Sequence, residues 1–271
     1  MTLPLPTGWT RRNVLLAAAA AALVAAAVVL PEAVARLLHA GGTGVTAAAL
    51  PQMVSRGFDV WVATGSSELP PDLTSATAFW KTFHEAKAVL SIAALTALVV
   101  LQARTWTAYC AGTRVRRQRV MLALALLVET VANGLAGLVV LANVQGSIAP
   151  LSSVLSFLPA GQATPAMTTM HEQIVSGAGS PATTALLYDF RNYHLAVLVG
   201  SALLGLGLIF AGIVTGIRWA EAPARRLRDL VLAEVVLATG LGFLGLVLLA
   251  NLSTVNETMP ALALFLAGQA G

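Results

Sequence analysis

A ten-residue pattern that occurs twice constrains the fold of this chain more than any other feature. Residues 134–143 read GLAGLVVLAN and residues 242–251 read GFLGLVLLAN, so both copies fit GxxGLVxLAN. Flanking segments recur at nearly the same spacing: FLPAGQA at 157–163 and FLAGQAG at 265–271, WKTFH at 80–84 and FRNYH at 190–194. We interpret these matches as an internal duplication, with a first repeat at 36–163 and a second at 164–271.

The composition predicts that the repeats lie in a membrane. Apolar residues make up 57% of the 271 residues and charged residues only 10%, whereas about 25% of residues are charged in a typical soluble domain. We therefore expect an all-α fold, an integral membrane helical bundle. Five apolar stretches predict spanning helices: residues 14–30, 84–104, 120–143, 194–217 and 230–251. At about 1.5 Å per residue the first comes close to crossing a hydrocarbon core of about 30 Å, and the other four are long enough to cross it.

The positions of the basic residues predict the orientation of these helices. Lys and Arg collect in short cytoplasmic loops, and eleven of the 16 basic residues fall on one predicted side: Arg11, Arg12, Arg104, Arg114, Arg116, Arg117, Arg119, Arg218, Arg225, Arg226 and Arg228. We expect a plasma-membrane protein with a cytoplasmic N-terminus and an external C-terminus and large loops. Arginines beside spanning helices also suit anionic lipid headgroups, so we infer no nucleic-acid binding.

Residues 1–35 are expected to form an N-terminal signal-anchor helix. The segment TRRNVL at 10–15 resembles a twin-arginine export signal, and Ala-Val-Ala at 33–35 could serve as a cleavage site. Retention of the helix and its removal are therefore both open. In either case the following segment lies outside, where apolar spacing predicts short amphipathic helices at 45–62, 148–158 and 168–175, with a turn at 66–71.

Both repeats begin outside, which predicts a parallel duplication of a two-helix unit about a pseudo-twofold axis along the membrane normal. Small residues allow close helix packing in lipid, and the candidate packing residues are Gly134, Gly137, Gly242, Gly245, Gly212 and Gly216. These glycine-rich faces are also candidates for contact with a protein partner or a second copy. Asn143 and Asn251 are expected at helix ends, as caps of the last carbonyls.

The four histidines are the candidate metal ligands. His84 and His194 occupy equivalent positions in the two repeats, at one expected depth, where they could ligate haem b or copper. His171, with Glu172, and His39 could complete a copper shell. Two other roles remain open: an interfacial anchor beside aromatic and basic neighbours, and a proton-linked switch, since imidazole titrates near neutral pH.

Glu129 is the second candidate, because a carboxylate inside a spanning helix costs at least about 2.5 kcal/mol unless it finds a partner. Asn133, one turn further on, and Thr96 are its expected partners, and the second repeat has Leu237 at the equivalent position. Glu129 is either a structural hydrogen-bonding group or the site of a small proton- or cation-coupled carrier.

No catalytic motif accompanies these candidates. The sequence contains no phosphate-binding glycine loop, no HExxH and no GxSxG, and its single cysteine, Cys110, excludes an internal disulfide. We therefore favour a non-enzymatic auxiliary or scaffold subunit of a cell-envelope or respiratory assembly. The alternatives are a haem- or copper-binding redox or metal-handling protein using His84 and His194, and a carrier using Glu129.

Overall fold

A computed structural model describes residues 11–39, 44–111, 115–159, 164–220 and 227–269. Within these ranges the chain is helical and contains no strand, which confirms the expected all-α class. The long helices are α1 (Arg11–Leu38), α3 (Pro71–Cys110), α4 (Arg116–Ile148), α7 (Pro181–Ala220) and α8 (Leu227–Asn256). The short ones are α2 (Leu50–Thr64), α5 (Pro150–Val154), α6 (Pro165–Ser176) and α9 (Thr258–Gln269), with 3₁₀ turns at Ala47–Ala49 and Leu155–Phe157.

Five helices are long and apolar enough to cross a membrane, which agrees with the number predicted: Arg11–Leu38, Pro71–Cys110, Arg116–Ile148, Pro181–Val214 and Val236–Asn256. Two of them begin earlier than expected. Helix α3 starts at Pro71 instead of residue 84, and α7 starts at Pro181 instead of residue 194. Proline suits the first helical turn, because its missing N–H has no helical acceptor there, and no glycine or proline follows within either extension.

The short helices agree with the sequence expectations in part. Helix α2 matches the predicted amphipathic segment and ends at Gly65, whose φ of 62° lies in the left-handed region that glycine adopts readily. Helix α6 is also confirmed; it begins after Thr164, whose hydroxyl accepts a hydrogen bond from the N–H of Met167. The apolar C-terminal segment, for which the sequence analysis gave no secondary structure, forms helix α9.

The chain divides into two compact units. The first comprises Met1–Leu38 and Thr82–Asn143, and the second comprises His39–Lys81 and Val144–Gly271. Each unit therefore contains one long helical hairpin with one copy of GxxGLVxLAN. The short helices that the sequence assigns to both predicted repeats belong to the second unit, and the repeats at 36–163 and 164–271 stay a prediction.

The short helices of the second unit pack around a dense apolar core. Its largest fully buried side chains include Trp61, Phe58, Phe79, Met167, Met170, Leu262 and Leu266. One close approach depends on glycine: a Cβ at Gly57 of α2 would lie 2.8 Å from the backbone nitrogen of Leu73. Next to this contact, Arg56 Nε lies 3.2 Å from Asp72 Oδ2, so α2 is fixed against the start of α3.

The hairpin of α7 and α8 is interlocked by two glycine–leucine contacts. A Cβ at Gly212 would lie 3.4 Å from Leu237 Cδ1, and one at Gly240 would lie 3.3 Å from Leu208 Cδ1. Each helix thus presents a leucine to a glycine of the other, which lets the backbones approach closely. Of the glycines chosen from the sequence, Gly212 takes part in this packing.

Candidate functional site: two histidine–asparagine pairs and a buried carboxylate

A histidine and an asparagine join the two helices of the first hairpin. His84 Nδ1 on α3 lies 2.9 Å from Asn143 Oδ1 on α4, although the two residues are 59 positions apart in the chain. The Asn143 amide nitrogen also donates to the carbonyl oxygen of Val139 at 2.7 Å. The asparagine therefore bridges its own backbone and the imidazole of the neighbouring helix.

The same arrangement occurs in the second hairpin. His194 Nδ1 on α7 lies 2.8 Å from Asn251 Oδ1 on α8, 57 positions further along the chain. The Asn251 amide nitrogen donates to the Val247 carbonyl oxygen at 2.8 Å. Both asparagines lie inside their helices, which continue beyond them, so the expectation that they cap helix ends was wrong. Their amides bond the carbonyl four residues earlier, as well as the histidine.

These contacts determine the hydrogen-bonding role of each imidazole. The backbone carbonyl requires a donor, which fixes the amide with Nδ2 towards it and Oδ1 towards the histidine. Because an amide oxygen only accepts, Nδ1 of each imidazole must carry a proton and donate. Any metal would then have to bind through Nε2, with Nδ1–H held by asparagine in the manner usual for metal-ligating histidines.

Further contacts recur around the two pairs. Trp80 packs against Phe157 with ring centroids 4.9 Å apart, and Phe190 packs against Phe265 at 6.0 Å. These four aromatic residues occupy equivalent positions in the repeated segments WKTFH/FRNYH and FLPAGQA/FLAGQAG. Residues 160–163, which end the first FLPAGQA segment, lie outside the described residues. The repetition read from the sequence thus corresponds to repeated side-chain contacts.

The remaining histidines also contact neighbouring elements. His171 Nδ1 on α6 lies 3.1 Å from the carbonyl oxygen of Ala263 on α9, and the His39 ring lies 6.4 Å from that of Phe79. Within the described ranges, no three His, Cys, Asp or Glu side chains are grouped closely enough to hold a metal ion. His84 belongs to the first unit and His194, His171 and His39 to the second, so the copper shell and the haem ligation by His84 and His194 both stay predictions.

Glu129 lies in a polar cluster of the first unit and is only 5% exposed. Its Oε1 accepts a hydrogen bond of 2.8 Å from the Thr105 hydroxyl on α3. Asn133 donates at 2.7 Å to Gln102 Oε1 and at 2.9 Å to the backbone carbonyl of Glu129. The expected partner Thr96 instead donates to the carbonyl oxygen of Ile92.

Sequence reasoning missed Thr105 and Gln102 as members of this cluster. It ended the second spanning helix at Arg104, before Thr105, whereas α3 continues to Cys110. Gln102 lay inside the predicted helix, but the sequence did not specify which residues of α4 it faces. The available signal was the absence of glycine and proline between residues 71 and 112. A helix extended to that length reaches the level of Glu129 in an antiparallel hairpin.

The arginines assigned to lipid headgroups are described only in part. Arg116, Arg117 and Arg119 are exposed at the start of α4, and the Arg119 guanidinium lies 5.3 Å from the centroid of the Tyr109 ring. Arg114, Arg225 and Arg226 lie outside the described residues, as does the side chain of Arg228. The twin-arginine-like segment begins at Thr10, also outside them, and continues into exposed Arg11 and Arg12 of α1.

The other glycines singled out from the sequence have open surroundings. A Cβ at Gly134, Gly242, Gly245 or Gly216 would meet no atom within 4 Å, whereas Gly137 is buried. Packing within the described chain therefore does not require glycine at these four positions. No protein-family model, no curated protein and no solved structure matches the chain.

Proposed function

We propose that this protein is a non-enzymatic auxiliary or scaffold subunit of a cell-envelope or respiratory assembly, inserted in the plasma membrane. The proposal rests on one observation. In each hairpin, the histidine that was a candidate metal ligand is hydrogen-bonded to an asparagine of the neighbouring helix: His84 to Asn143 and His194 to Asn251. The polar side chains thus join helices within the protein. Rigid hairpins are what a scaffold presents to its partners.

A duplicated origin supports this view. The two histidine–asparagine pairs and the two aromatic contacts connect equivalent positions of the repeats. We infer that a two-helix unit was duplicated in parallel orientation, with a pseudo-twofold axis along the membrane normal. The five long apolar helices and the basic residues near one set of their ends support multi-pass insertion with the short helices outside.

The partner in this proposal contacts the open glycine faces of α4 and α8. Gly134 and Gly242 are equivalent in the two repeats, and both leave room for a Cβ. Helices of a membrane partner can approach most closely at such positions. The other exposed apolar side chains of these helices, such as Leu127 and Leu246, would contact lipid or the same partner.

The alternative use of His84 and His194 is as ligands of haem or copper through Nε2. Elemental analysis of the detergent-purified protein separates the two roles. A scaffold contains no stoichiometric iron or copper. Near-stoichiometric metal that disappears in the variant His84→Ala, His194→Ala would replace the scaffold proposal by a redox or metal-handling function.

Site-specific photo-crosslinking in intact cells tests the partner contact directly. A photoreactive phenylalanine analogue is placed at Gly134 or Gly242 and, as matched controls, at Val128 or Val236. The controls are exposed residues of the same helices, about 120° around the axis from the glycines. They also occupy equivalent positions in the two repeats.

The proposal predicts a defined protein adduct from both glycine positions and much weaker protein adducts from both valine positions. Mass spectrometry of the adduct then identifies the partner. Adducts with this protein alone would indicate a homo-oligomer and overturn the auxiliary-subunit role. Only lipid adducts at all four positions would contradict any helix partner on these faces.

A further inference from the structure

The polar cluster around Glu129 contains more hydrogen-bond acceptors than its donors satisfy. The Thr105 hydroxyl donates to Glu129 Oε1, and the Thr130 hydroxyl donates to the Leu126 carbonyl oxygen. Gln102 donates through Nε2 to Thr130 Oγ1 at 2.8 Å. The Asn133 amide directs its N–H groups to Gln102 Oε1 and to the Glu129 carbonyl. The two hydroxyl groups, both N–H groups of Asn133 and one N–H of Gln102 are therefore already engaged.

Two acceptors of this cluster have no hydrogen-bond partner among the described residues: Glu129 Oε2 and Asn133 Oδ1, both buried. The two residues are four apart on α4, so their side chains lie on one helix face. Leaving a buried acceptor unsatisfied costs about 1–3 kcal/mol, and more for a charged group. Both unsatisfied atoms are oxygens, so either a hydrogen-bond donor or a cation would satisfy them.

The helices of the first unit place no cationic side chain beside these oxygens, as far as their residues are described. On α4, Glu129 is the one ionisable residue after Arg119, which lies about 15 Å away along the helix axis. On α3 no ionisable residue lies between Lys87 and Arg104, and Arg104 Nε donates to Asn13 Oδ1 of α1 at 2.8 Å.

The other charges of α1 lie towards its ends, at Arg11, Arg12, Glu32 and Arg36. The ion pairs Arg36–Glu32 and Arg56–Asp72 lie elsewhere in the chain. The buried carboxylate therefore has hydrogen-bonding neighbours without a compensating charge.

We propose that Glu129 and Asn133 form a binding site for one monovalent cation, a proton or Na⁺. A proton on Glu129 Oε2 turns this oxygen into a donor, for which Asn133 Oδ1 is the nearest unsatisfied acceptor on the same helix. One hydrogen bond between Glu129 Oε2 and Asn133 Oδ1 then satisfies both oxygens. Na⁺ carries the same charge and binds oxygen ligands, so the same two atoms suit it.

The site belongs to the first hairpin alone. The equivalent residues of the second repeat are Leu237 and Leu241, and Leu237 packs against Gly212 instead. The second hairpin has leucine at the position equivalent to Asn133. The substitution Asn133→Leu therefore introduces a side chain that the equivalent position already accommodates. The site goes beyond the scaffold proposal and does not depend on it. It is also the binding step that a proton- or cation-coupled carrier would require.

Infrared difference spectroscopy of the full-length protein in lipid nanodiscs tests the site. The measured signal is the carbonyl band of a protonated carboxylic acid, followed during a pH titration and during a NaCl titration at fixed pH. The wild type is compared with Glu129→Gln, which keeps the shape of the side chain, and with Asn133→Leu. Glu234→Gln is the control, because Glu234 is an exposed carboxylate of α8.

The proposal predicts a band that titrates in the wild type and in Glu234→Gln and is absent from Glu129→Gln. A band that NaCl leaves unchanged identifies the proton as the ligand, and one that NaCl removes shows Na⁺ at the same oxygens. Asn133→Leu should weaken binding of the cation by about tenfold, the effect of one lost hydrogen bond.

Two results would overturn the proposal. The first is identical spectra of the wild type and Glu129→Gln at every pH and NaCl concentration. The second is a Glu129 band whose titration is unchanged in Asn133→Leu, because Asn133 would then not belong to the site. The second comparison remains decisive if Glu129→Gln fails to fold.

Discussion

His194 Nδ1 donates a hydrogen bond of 2.8 Å to Oδ1 of Asn251 across the hairpin of α7 and α8. The first hairpin repeats this bond between His84 and Asn143 at 2.9 Å, with two more residues between the partners. The chain between the bonded residues therefore differs in length between the two hairpins, while the bond is present in both. Each pair fixes the register of its two helices at one level, and this is the basis of the structural role assigned to the histidines.

Substitution of Gly57 should destabilise the short-helix core of the second unit. In Gly57→Ala the new methyl group would lie 2.8 Å from Leu73 N and 2.9 Å from Leu73 Cβ, so one backbone must move. We expect a loss of about 1–3 kcal/mol in the free energy of unfolding. Thermal unfolding in detergent measures it.

Gly134→Ala is the control, since nothing lies within 4 Å of its Cβ position. Alanine favours helix by up to about 1 kcal/mol over glycine, so this variant should be as stable as the wild type or more so. Equal effects of both substitutions would contradict the packing described for Gly57.

The contact between α7 and α8 makes a separate prediction. Gly240→Leu introduces a large side chain at a position where even its Cβ would lie only 3.3 Å from Leu208 Cδ1. The helices must separate, and we expect a loss of about 1–3 kcal/mol in the free energy of unfolding. Gly245→Leu, on the same helix with no atom within 4 Å of its Cβ position, should change the unfolding temperature little. A similar loss in both variants would argue against the interlocked hairpin.

The proposed orientation in the membrane predicts which loops an impermeant maleimide reaches. In a Cys110→Ala background, Ala178→Cys should be labelled in intact cells, because the loop between α6 and α7 is assigned to the outside. Val115→Cys, exposed beside the arginines that open α4, should be labelled only after permeabilisation. Labelling of residue 115 in intact cells would invert the assigned topology.

Much of the helical architecture could be predicted from the sequence, because apolar length alone identifies a helix that can span a membrane. All five stretches correspond to helices of the structure. The ends of α3 and α7 were less predictable. Residues 71–83 and 181–193 mix polar and apolar side chains, so apolar length alone did not assign them to the spanning helices.

The histidine–asparagine pairs show where sequence reasoning stopped short. The repeat identified His84, His194, Asn143 and Asn251 as equivalent, and the expected topology placed all four near the outer boundary. Two polar side chains at one level of adjacent antiparallel helices are natural hydrogen-bonding partners. Assigning the asparagines to helix ends hid this relationship, because a capping residue has no reason to face the neighbouring helix.

The surroundings of Glu129 required the three-dimensional structure. The sequence identified a buried carboxylate and Asn133 one turn further on, but Gln102 and Thr105 come from α3. Their contacts depend on the register of the hairpin, which a periodic apolar pattern does not specify. Likewise, the two unsatisfied oxygens are visible only once the neighbouring donors have been assigned.

The central claim is that His194–Asn251 and His84–Asn143 are equivalent structural bonds, and a double-mutant cycle tests it most directly. Each residue is replaced by alanine singly and each pair doubly, and the free energy of unfolding is measured in detergent. The asparagine's bond to its own backbone cancels in the cycle.

We predict a coupling energy of about 1 kcal/mol in both pairs, without iron or copper in any of the proteins. Additive single-mutant effects in either pair, or stoichiometric metal that is lost with the histidines, would contradict the structural role.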